Sequence, residues 1–404
     1  MIMDKETKYD IVVFGATGFT GDLTAKYLAK KMKDESFRLG IAGRDEIKLN
    51  RLKKELIAIN PKCSEVGLVI ADVKNYPSLL SMAKETKTVI TTVGPYLKYG
   101  DSVVKACIEG GADYLDLTGE GGFVNHVINT YDKKAKENNV KILNCCGFDS
   151  IPADLGTYYT VSQLPSNEPI EVECFASFAS TNTSTFGQFN SISGGTWHSA
   201  IGFMSLAELD RQKNSYTQIA ASATNGRKVN PLPLQFRLRE ETKTYGAPLP
   251  VVDIEVVLRS AADIESYGPN FSYGHYAGIH STPLLIGGIL GMGLLFSLAQ
   301  FEPTRNFLLN LRKPGEGPDK EQRESNSFQL SFVGKSRSKL VKTVVSGGDP
   351  GYGDTSKILG ESALCLVLDR KEIPEKYGVI TPAIAMRDKI IPRLQKAGIQ
   401  FKTL

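Results

Sequence analysis

The residues with the most specific chemistry stand near the start of the chain, where Gly15, Ala16, Thr17, Gly18, Phe19, Thr20 and Gly21 spell GATGFTG. Residues 10–14 (DIVVF) before them form a short apolar run, and residues 22–32 after them read as a helix. A strand, a glycine turn and a helix in that order is the setting of a dinucleotide fingerprint. Gly15 permits the tight turn off the strand, Gly18 lets backbone amides approach a pyrophosphate, and Gly21 lets the helix pack close to the sheet. The helix N-terminus then presents its partial positive charge to the phosphates. An ordinary βα turn would show similar glycines, but this one heads a long βα series, which favours a cofactor.

The next strand-like run, residues 38–42, ends in Gly43, Arg44 and Asp45. A carboxylate here holds the ribose 2′-hydroxyl of NAD, whereas an arginine accommodates the 2′-phosphate of NADP. Arg44 offers a permanently charged planar fork, with Lys48 one turn on, so NADP is expected over NAD, although Asp45 could still read a ribose. Asp72 follows a third run, residues 66–71, at the position that sits beside an adenine. Gly94 and Pro95 follow a fourth, residues 88–93, where a dinucleotide crosses the sheet.

Hydride transfer belongs to the cofactor; the protein orients the acceptor and delivers a proton. No short-chain-reductase arrangement of Ser, Tyr and Lys stands in place, so the candidate acids are Tyr96, Asp116, Glu120 and Asp149. Asp149 comes first because it opens the second domain directly after the sixth strand; a turn-capping role is its alternative. Tyr96 is the second catalytic candidate, or stacks beside the cofactor. Cys145 and Cys146 read as small packing residues.

These residues need a frame. Residues 101–110 and 123–138 read as helices, and residues 114–117 and 140–145 as strands. The first 150 residues thus hold roughly six parallel strands, a Rossmann-type doubly wound sheet with right-handed crossovers. Residues 151–346 read as an α+β substrate or association domain, with strands at 170–177 and 251–258 and a hairpin of 328–333 and 340–345. The basic turn between the hairpin strands, Lys335 to Lys339, reads as a solvated tip. Ser193 to Thr196 precede a helical run, 197–210, as a cap or an anion site. Residues 347–404 read as C-terminal helices, 355–368 and 382–396, the second capped by Thr381 and closed by Gly398.

With these elements in place, GATGFTG, AGR at 42–44, VGPY at 93–96, YLDLTGE at 114–120, CGFDSIPADLG at 146–156 and GGDPGY at 347–352 resemble the saccharopine dehydrogenase-like oxidoreductases. More narrowly, they resemble the trans-acting enoyl reductases of bacterial lipid biosynthesis, from about Tyr9 to Phe401. The resemblance implies an NADP-type oxidoreductase in which an N-terminal sheet binds cofactor, the middle handles substrate and the last helices fold back on the first domain. It does not name the substrate.

Composition bounds the rest. The chain has 404 residues, 41% hydrophobic and 23% charged, with a formal net charge of +4. Near-balance without a basic face argues against nucleic acid. Six cysteines make no disulfide framework, and four histidines show no ligand spacing, so no metal is expected. The charged N-terminus lacks the apolar core of a signal peptide, so a cytoplasmic protein is expected. Locally the balance fails: residues 266–301 carry no Asp, Glu, Lys or Arg.

Within that stretch, residues 284–296 (LLIGGILGMGLLF) would make a helix about 20 Å long, short of a hydrocarbon core of roughly 30 Å. Three readings stand for residues 283–301: a buried or homodimer-interface helix, favoured by length; a segment meeting a membrane or an acyl substrate; and a full span. The leading function is therefore an NADPH-dependent reductase of an apolar, lipid-linked enoyl or carbonyl acceptor. The rivals are a saccharopine-type amino-acid dehydrogenase and a membrane- or lipid-associated nucleotide-binding protein without turnover.

Overall fold

The computed structural model describes residues 7–180, 201–202, 204, 206–233, 235–239, 244–249, 251–279, 282–311 and 320–404. The expected cap at Ser193 to Thr196 and the start of the 197–210 helix lie outside the described residues. The chain divides into two units: residues through Phe148 with Tyr352–Ala397, and Asp149–Gly351 with Gly398–Leu404.

The first unit alternates strand and helix: β1 (Tyr9–Phe14), α1 (Phe19–Lys31), β2 (Leu39–Gly43), α2 (Glu46–Ile59), β3 (Gly67–Ile70), α3 (Tyr76–Lys84), β4 (Thr86–Thr91), α4 (Tyr96–Gly110), β5 (Asp113–Leu115), α5 (Gly121–Glu137) and β6 (Lys141–Leu143). Every residue of β1, YDIVVF, is buried. A strand covered on both faces reads as a continuous apolar run rather than an alternation. All strand pairs in this sheet are parallel.

The second unit follows with α6 (Ile151–Val161), β7 (Ile170–Ser180), α7 (Leu206–Ser222), β8 (Lys228–Pro231), β9 (Arg237–Arg239), β10 (Thr244–Pro248), α8 (Val252–Asp263), β11 (Asn270–Ile279), α9 (Thr282–Ala299), α10 (Glu302–Asn310), α11 (Lys320–Ser325), β12 (Asn326–Lys335) and β13 (Leu340–Gly347). The chain returns to the first unit with α12 (Gly353–Leu368), β14 (Gly378–Val379), α13 (Pro382–Met386) and α14 (Ile390–Lys396), and ends on β15 (Gln400–Thr403) in the second.

The first sheet runs β14-β6-β5-β4-β1-β2-β3. The order reverses between β1 and β4, and ligands of doubly wound sheets gather at the carboxyl ends of strands beside such a switch. The helices pack in groups, α1 with α2 and α12, and α4 with α3 and α5. This is the Rossmann-type sheet expected, widened to seven strands by the C-terminal β14. The second sheet runs β15-β13-β12-β7-β11-β10-β9, with β8 also on β11. It is mixed: β7 and β8 lie parallel to β11, and the other pairs are antiparallel. The β12–β13 hairpin closes at its basic tip with the Ser336 N–H on the Lys339 carbonyl, 2.8 Å.

Two expectations need correction. Residues 251–258 are not a strand but most of α8. The alternation of Val, Asp, Ile and Glu suggested one wet face, yet Asp253 and Glu255 are both buried. Each has an interior partner: the Ser150 hydroxyl for Asp253, and Arg211 with the Ser215 hydroxyl for Glu255. The helix expected over 382–396 is two helices, broken where Arg387 adopts a φ of +52°. In α9, Gly287, Gly291, Gly293, Leu294 and Phe296 are exposed, whereas Ala299 is buried with Ile201, Met204 and Leu308, and Leu295 and Leu298 pack against them. Among the described residues no helix is long and apolar enough to cross a membrane.

Candidate functional site: a dinucleotide cradle and a buried acid array

The glycine turn between β1 and α1 is built for close approach. Gly15 has a φ of +83°, and a Cβ there would stand 2.7 Å from Val93 Cγ2 and 2.8 Å from Thr92 Oγ1. A Cβ on Gly21 would stand 2.2 Å from the Gly15 carbonyl oxygen. The Gly15 N–H bonds the Ala42 carbonyl (3.0 Å) and the Gly18 N–H bonds the Gly15 carbonyl (2.9 Å), which folds the turn over the strand ends. Gly18 occupies the N-cap of α1 with no side-chain cap. The first-turn amides have no acceptor within the helix itself, the end at which helices bind anions. Thr17 and Gly18 are exposed, Phe19 and Thr20 half-buried, and Ala16 buried. The one acidic residue of the first turn, Asp22, is paired with Lys26 at 2.9 Å. A turn so tight that a Cβ at Gly15 or Gly21 would collide with it, opening onto a helix N-terminus, fits a dinucleotide pyrophosphate.

At the end of β2, Arg44 is exposed. Asp45 accepts the Lys48 N–H at 3.0 Å as the N-cap of α2, so its carboxylate is already engaged. That division favours the arginine as the reader of the adenosine ribose, in its phosphorylated form. Arg44→Glu is expected to invert the NADPH-over-NADH preference by at least tenfold, measured as the ratio of dissociation constants; an unchanged ratio would contradict the assignment. Asp72 accepts the Lys74 N–H at 2.9 Å in the turn after β3.

The ends of β4, β5 and β6 are tied by carboxylates. Gly94-Pro95 is a cis peptide after β4. Glu120 accepts the Tyr96 N–H (2.8 Å) and the Leu97 N–H (2.9 Å), capping α4 from another loop. Asp116 is fully buried and accepts from the amides of Thr118 and Cys145, the Tyr114 hydroxyl and the Asn144 amide at 2.6–3.0 Å. Burial pushes its carboxyl up to about 6 against those bonds. Tyr96 is buried with its hydroxyl donating to the Thr91 carbonyl at 3.1 Å. Burial first, then the nearby Asp116 carboxylate, raises that phenol far above its ordinary value. A hydroxyl turned inward and engaged in this way holds the β4–α4 junction and makes a poor proton donor. Within the first unit the Tyr352 ring meets the Phe19 ring edge-on at 4.5 Å.

Asp149 and Tyr96 lie in different units. In the second unit, half-buried Asp149 precedes α6, and burial lifts its carboxyl up to about 6. Its neighbour Ser150 donates to Asp253 Oδ1 on α8 (3.1 Å). On β11, His275 Nδ1 stands 3.6 Å from Asp253 Oδ2 and 3.1 Å from the Tyr273 hydroxyl. Burial lowers His275 to about 4, so the imidazole is neutral near pH 7. Among the described residues no group of three or more His, Cys, Asp or Glu could hold a metal ion. This array escapes sequence reasoning because Asp253 sits in a segment that reads as a strand; only paired polar residues in an otherwise apolar run hinted at it.

Residues 11–143 match the model of the saccharopine dehydrogenase NADP-binding domain. A trans-acting enoyl reductase of Mycobacterium ulcerans is 31% identical over 419 residues, covering 98% of this chain and 97% of that protein. The mouse saccharopine dehydrogenase-like oxidoreductase is 33% identical over 433 residues, covering 99% and 98%. Among solved structures, the L-Glu-forming saccharopine dehydrogenase of Saccharomyces cerevisiae covers 98% of this chain and 100% of its own, with a TM-score of 0.53 at 12% identity. That likeness concerns the fold.

Proposed function

Because the chain belongs to the saccharopine dehydrogenase-like oxidoreductases, NADP-binding enzymes, we propose that it is an NADPH-dependent reductase of an apolar, lipid-linked acceptor. Reduction of an enoyl C=C is preferred to that of a carbonyl. The observation that carries the acceptor's chemistry is the α9–α10 helical pair. α9 lies within the uncharged stretch 266–301 and α10 follows it with Glu302 and Arg305; with the flanking Phe301 and Leu311 the pair exposes Leu294, Phe296, Phe301, Phe307 and Leu311. Exposed apolar area of this kind marks a surface for an apolar partner. A dehydrogenase of dicarboxylic amino acids would instead want cations in residues 266–301, which hold none.

The bound dinucleotide supplies the hydride. Gly15, Ala16, Thr17, Gly18, Phe19, Thr20 and Gly21 hold its pyrophosphate. Arg44 takes the 2′-phosphate, Asp72 flanks the adenine end, and Gly94 and Pro95 line the crossing. Asp149 delivers the proton: it is the half-buried acid whose carboxyl is raised toward neutrality, the condition a general acid needs. Tyr96 keeps the β4–α4 junction closed.

Two results test this reading. NADPH oxidation is expected with long-chain 2-enoyl acceptors and not with glutamate plus aminoadipate semialdehyde; the reverse pattern overturns it. The chain is also expected to float with phosphatidylcholine liposomes through α9–α10, and a Phe301→Ser, Phe307→Ser variant to stay behind. Retention of neither form would remove the membrane contact.

A further inference from the structure

We propose that Asn144 binds the carboxamide of the nicotinamide ring, its Oδ1 accepting an amide N–H, and that Asp116 is the positioning residue that aims it. The inference rests on the NADPH placement proposed above and adds the partner of the reactive ring.

The strands of the first sheet are parallel, so their carboxyl ends lie along one edge in the order β6-β5-β4-β1-β2-β3. With the pyrophosphate at the β1 turn and the adenosine half over β2 and β3, the nicotinamide half runs the other way, across β4 toward β5 and β6. Asn144 directly follows β6 and is 4% exposed. Its Nδ2 donates at 2.6 Å to Oδ2 of Asp116, which directly follows β5. The amide therefore stands by β5, two strand spacings or roughly 10 Å from β1. The ribose hydroxyls, nearer the pyrophosphate, belong over β4, and the ring with its carboxamide reaches one strand further.

Asp116 is itself held on all sides. Its Oδ1 accepts the Thr118 N–H (3.0 Å) and the Cys145 N–H (2.9 Å), and its Oδ2 also accepts the Tyr114 hydroxyl (2.8 Å). Two backbone bonds join the strand ends, from the Asp116 N–H to the Leu143 carbonyl (3.1 Å) and from the Cys146 N–H to the Asp116 carbonyl (2.7 Å). A carboxylate only accepts, so it draws the Asn144 nitrogen to itself and turns the oxygen away. That oxygen is buried and has no hydrogen-bond partner among the described residues. Buried polar atoms are nearly always paired, and an acceptor bare at this place calls for a donor that arrives with the ligand. The carboxamide N–H is that donor. Holding it sets the rotation of the ring about its bond to the ribose, and so the face from which hydride leaves.

The experiment is titration calorimetry on the whole chain, wild type, Asn144→Ala and Asp116→Asn, with three probes. They are NADPH, its 3-acetylpyridine analogue, whose methyl ketone keeps the carbonyl but has no N–H, and 2′-phospho-ADP-ribose, which has no nicotinamide. The wild type is expected to bind NADPH about tenfold more tightly than the acetylpyridine analogue, the effect of one buried hydrogen bond. In Asn144→Ala the two should bind alike, NADPH having lost about tenfold, while 2′-phospho-ADP-ribose stays within twofold of wild type. In Asp116→Asn the new side-chain oxygen must serve the Thr118 and Cys145 amides, so its nitrogen faces Asn144. The Asn144 amide then turns over, presents its own nitrogen to the ring substituent, and the preference for NADPH disappears because both probes carry a carbonyl.

Equal affinity of the wild type for NADPH and the acetylpyridine analogue overturns the proposal. So does a preference that survives in Asn144→Ala, or a loss of 2′-phospho-ADP-ribose as large as that of NADPH, which would make Asn144 a structural residue only. If Asn144→Ala fails to fold, Asp116→Asn decides, and an undiminished preference there overturns the proposal. A wild type that binds neither NADPH nor 2′-phospho-ADP-ribose instead overturns the cofactor placement on which it rests.

Discussion

Replacing Gly21 with alanine is expected to weaken NADPH binding by at least 100-fold. The added Cβ would stand 2.2 Å from the Gly15 carbonyl oxygen, 2.8 Å from the Gly15 carbonyl carbon and 2.8 Å from Thr92 Oγ1. Two of those atoms are backbone in a turn already folded by its own hydrogen bonds, so the turn cannot yield and α1 must back away from β1. The first-turn amides then leave the positions from which they bind phosphate. Overpacking of this kind costs on the order of 1–3 kcal/mol in stability, so the thermal midpoint should fall as well. Gly43→Ala is the control, because its Cβ would meet Leu49 and Thr17 only at 3.8 and 3.9 Å, ordinary contact. Fluorescence titration with NADPH, beside thermal unfolding, separates lost binding from lost folding. Wild-type affinity in Gly21→Ala would refute the cradle.

The second large effect lies in how the C-terminal helices are fastened to α1. Glu361 on α12 is wholly buried. It accepts the Tyr27 hydroxyl at 2.5 Å and pairs with Lys31 at 2.5 Å, both on α1, and with Arg393 on α14 at 3.3 Å. Arg393 also holds Asp369 (2.5 Å) and Glu35 (3.0 Å). Breaking a buried charge network by removing one member strands the others, at a cost of about 3–5 kcal/mol. Glu361→Ala is expected near the lower figure, because Lys31 and Arg393 retain some solvent access and other carboxylates. The urea midpoint should drop with the slope of the transition unchanged. Glu361→Gln, which keeps an acceptor for Tyr27, should cost less. A midpoint unchanged in Glu361→Ala would show that these helices are held by apolar packing alone.

The first sheet was legible because its strands are buried on both faces. DIVVF and its successors stand as apolar runs separated by helical stretches, and the glycine turn marks where the series begins. Helix starts were read late, as at Tyr96, where the cap comes from Glu120, 24 residues on, and leaves no local sign. β14 is two residues long and could not be read at all.

The second unit was harder for a different reason. Sequence patterning assumes that polar residues face water. Asp253 and Glu255 face inward, each with a partner more than 30 residues away in sequence, and the period-2 pattern they create is false. The cofactor cradle follows from backbone needs that glycine positions record directly. The acid array follows from distant side-chain pairings, which leave no spacing rule. Tyr96 shows the same limit: its residue type suited an acid, but its hydroxyl turns inward to Thr91.

The central claim is that hydride passes from NADPH to an apolar acceptor. Turnover with NADPH deuterated at the transferring position, in a mixture of a long-chain 2-enoyl acceptor, the matching saturated aldehyde, and glutamate with aminoadipate semialdehyde, tests it directly by mass spectrometry of the products. Deuterium is expected on the β-carbon of the reduced acyl chain. Deuterium appearing instead only in the amino-acid adduct would contradict the account.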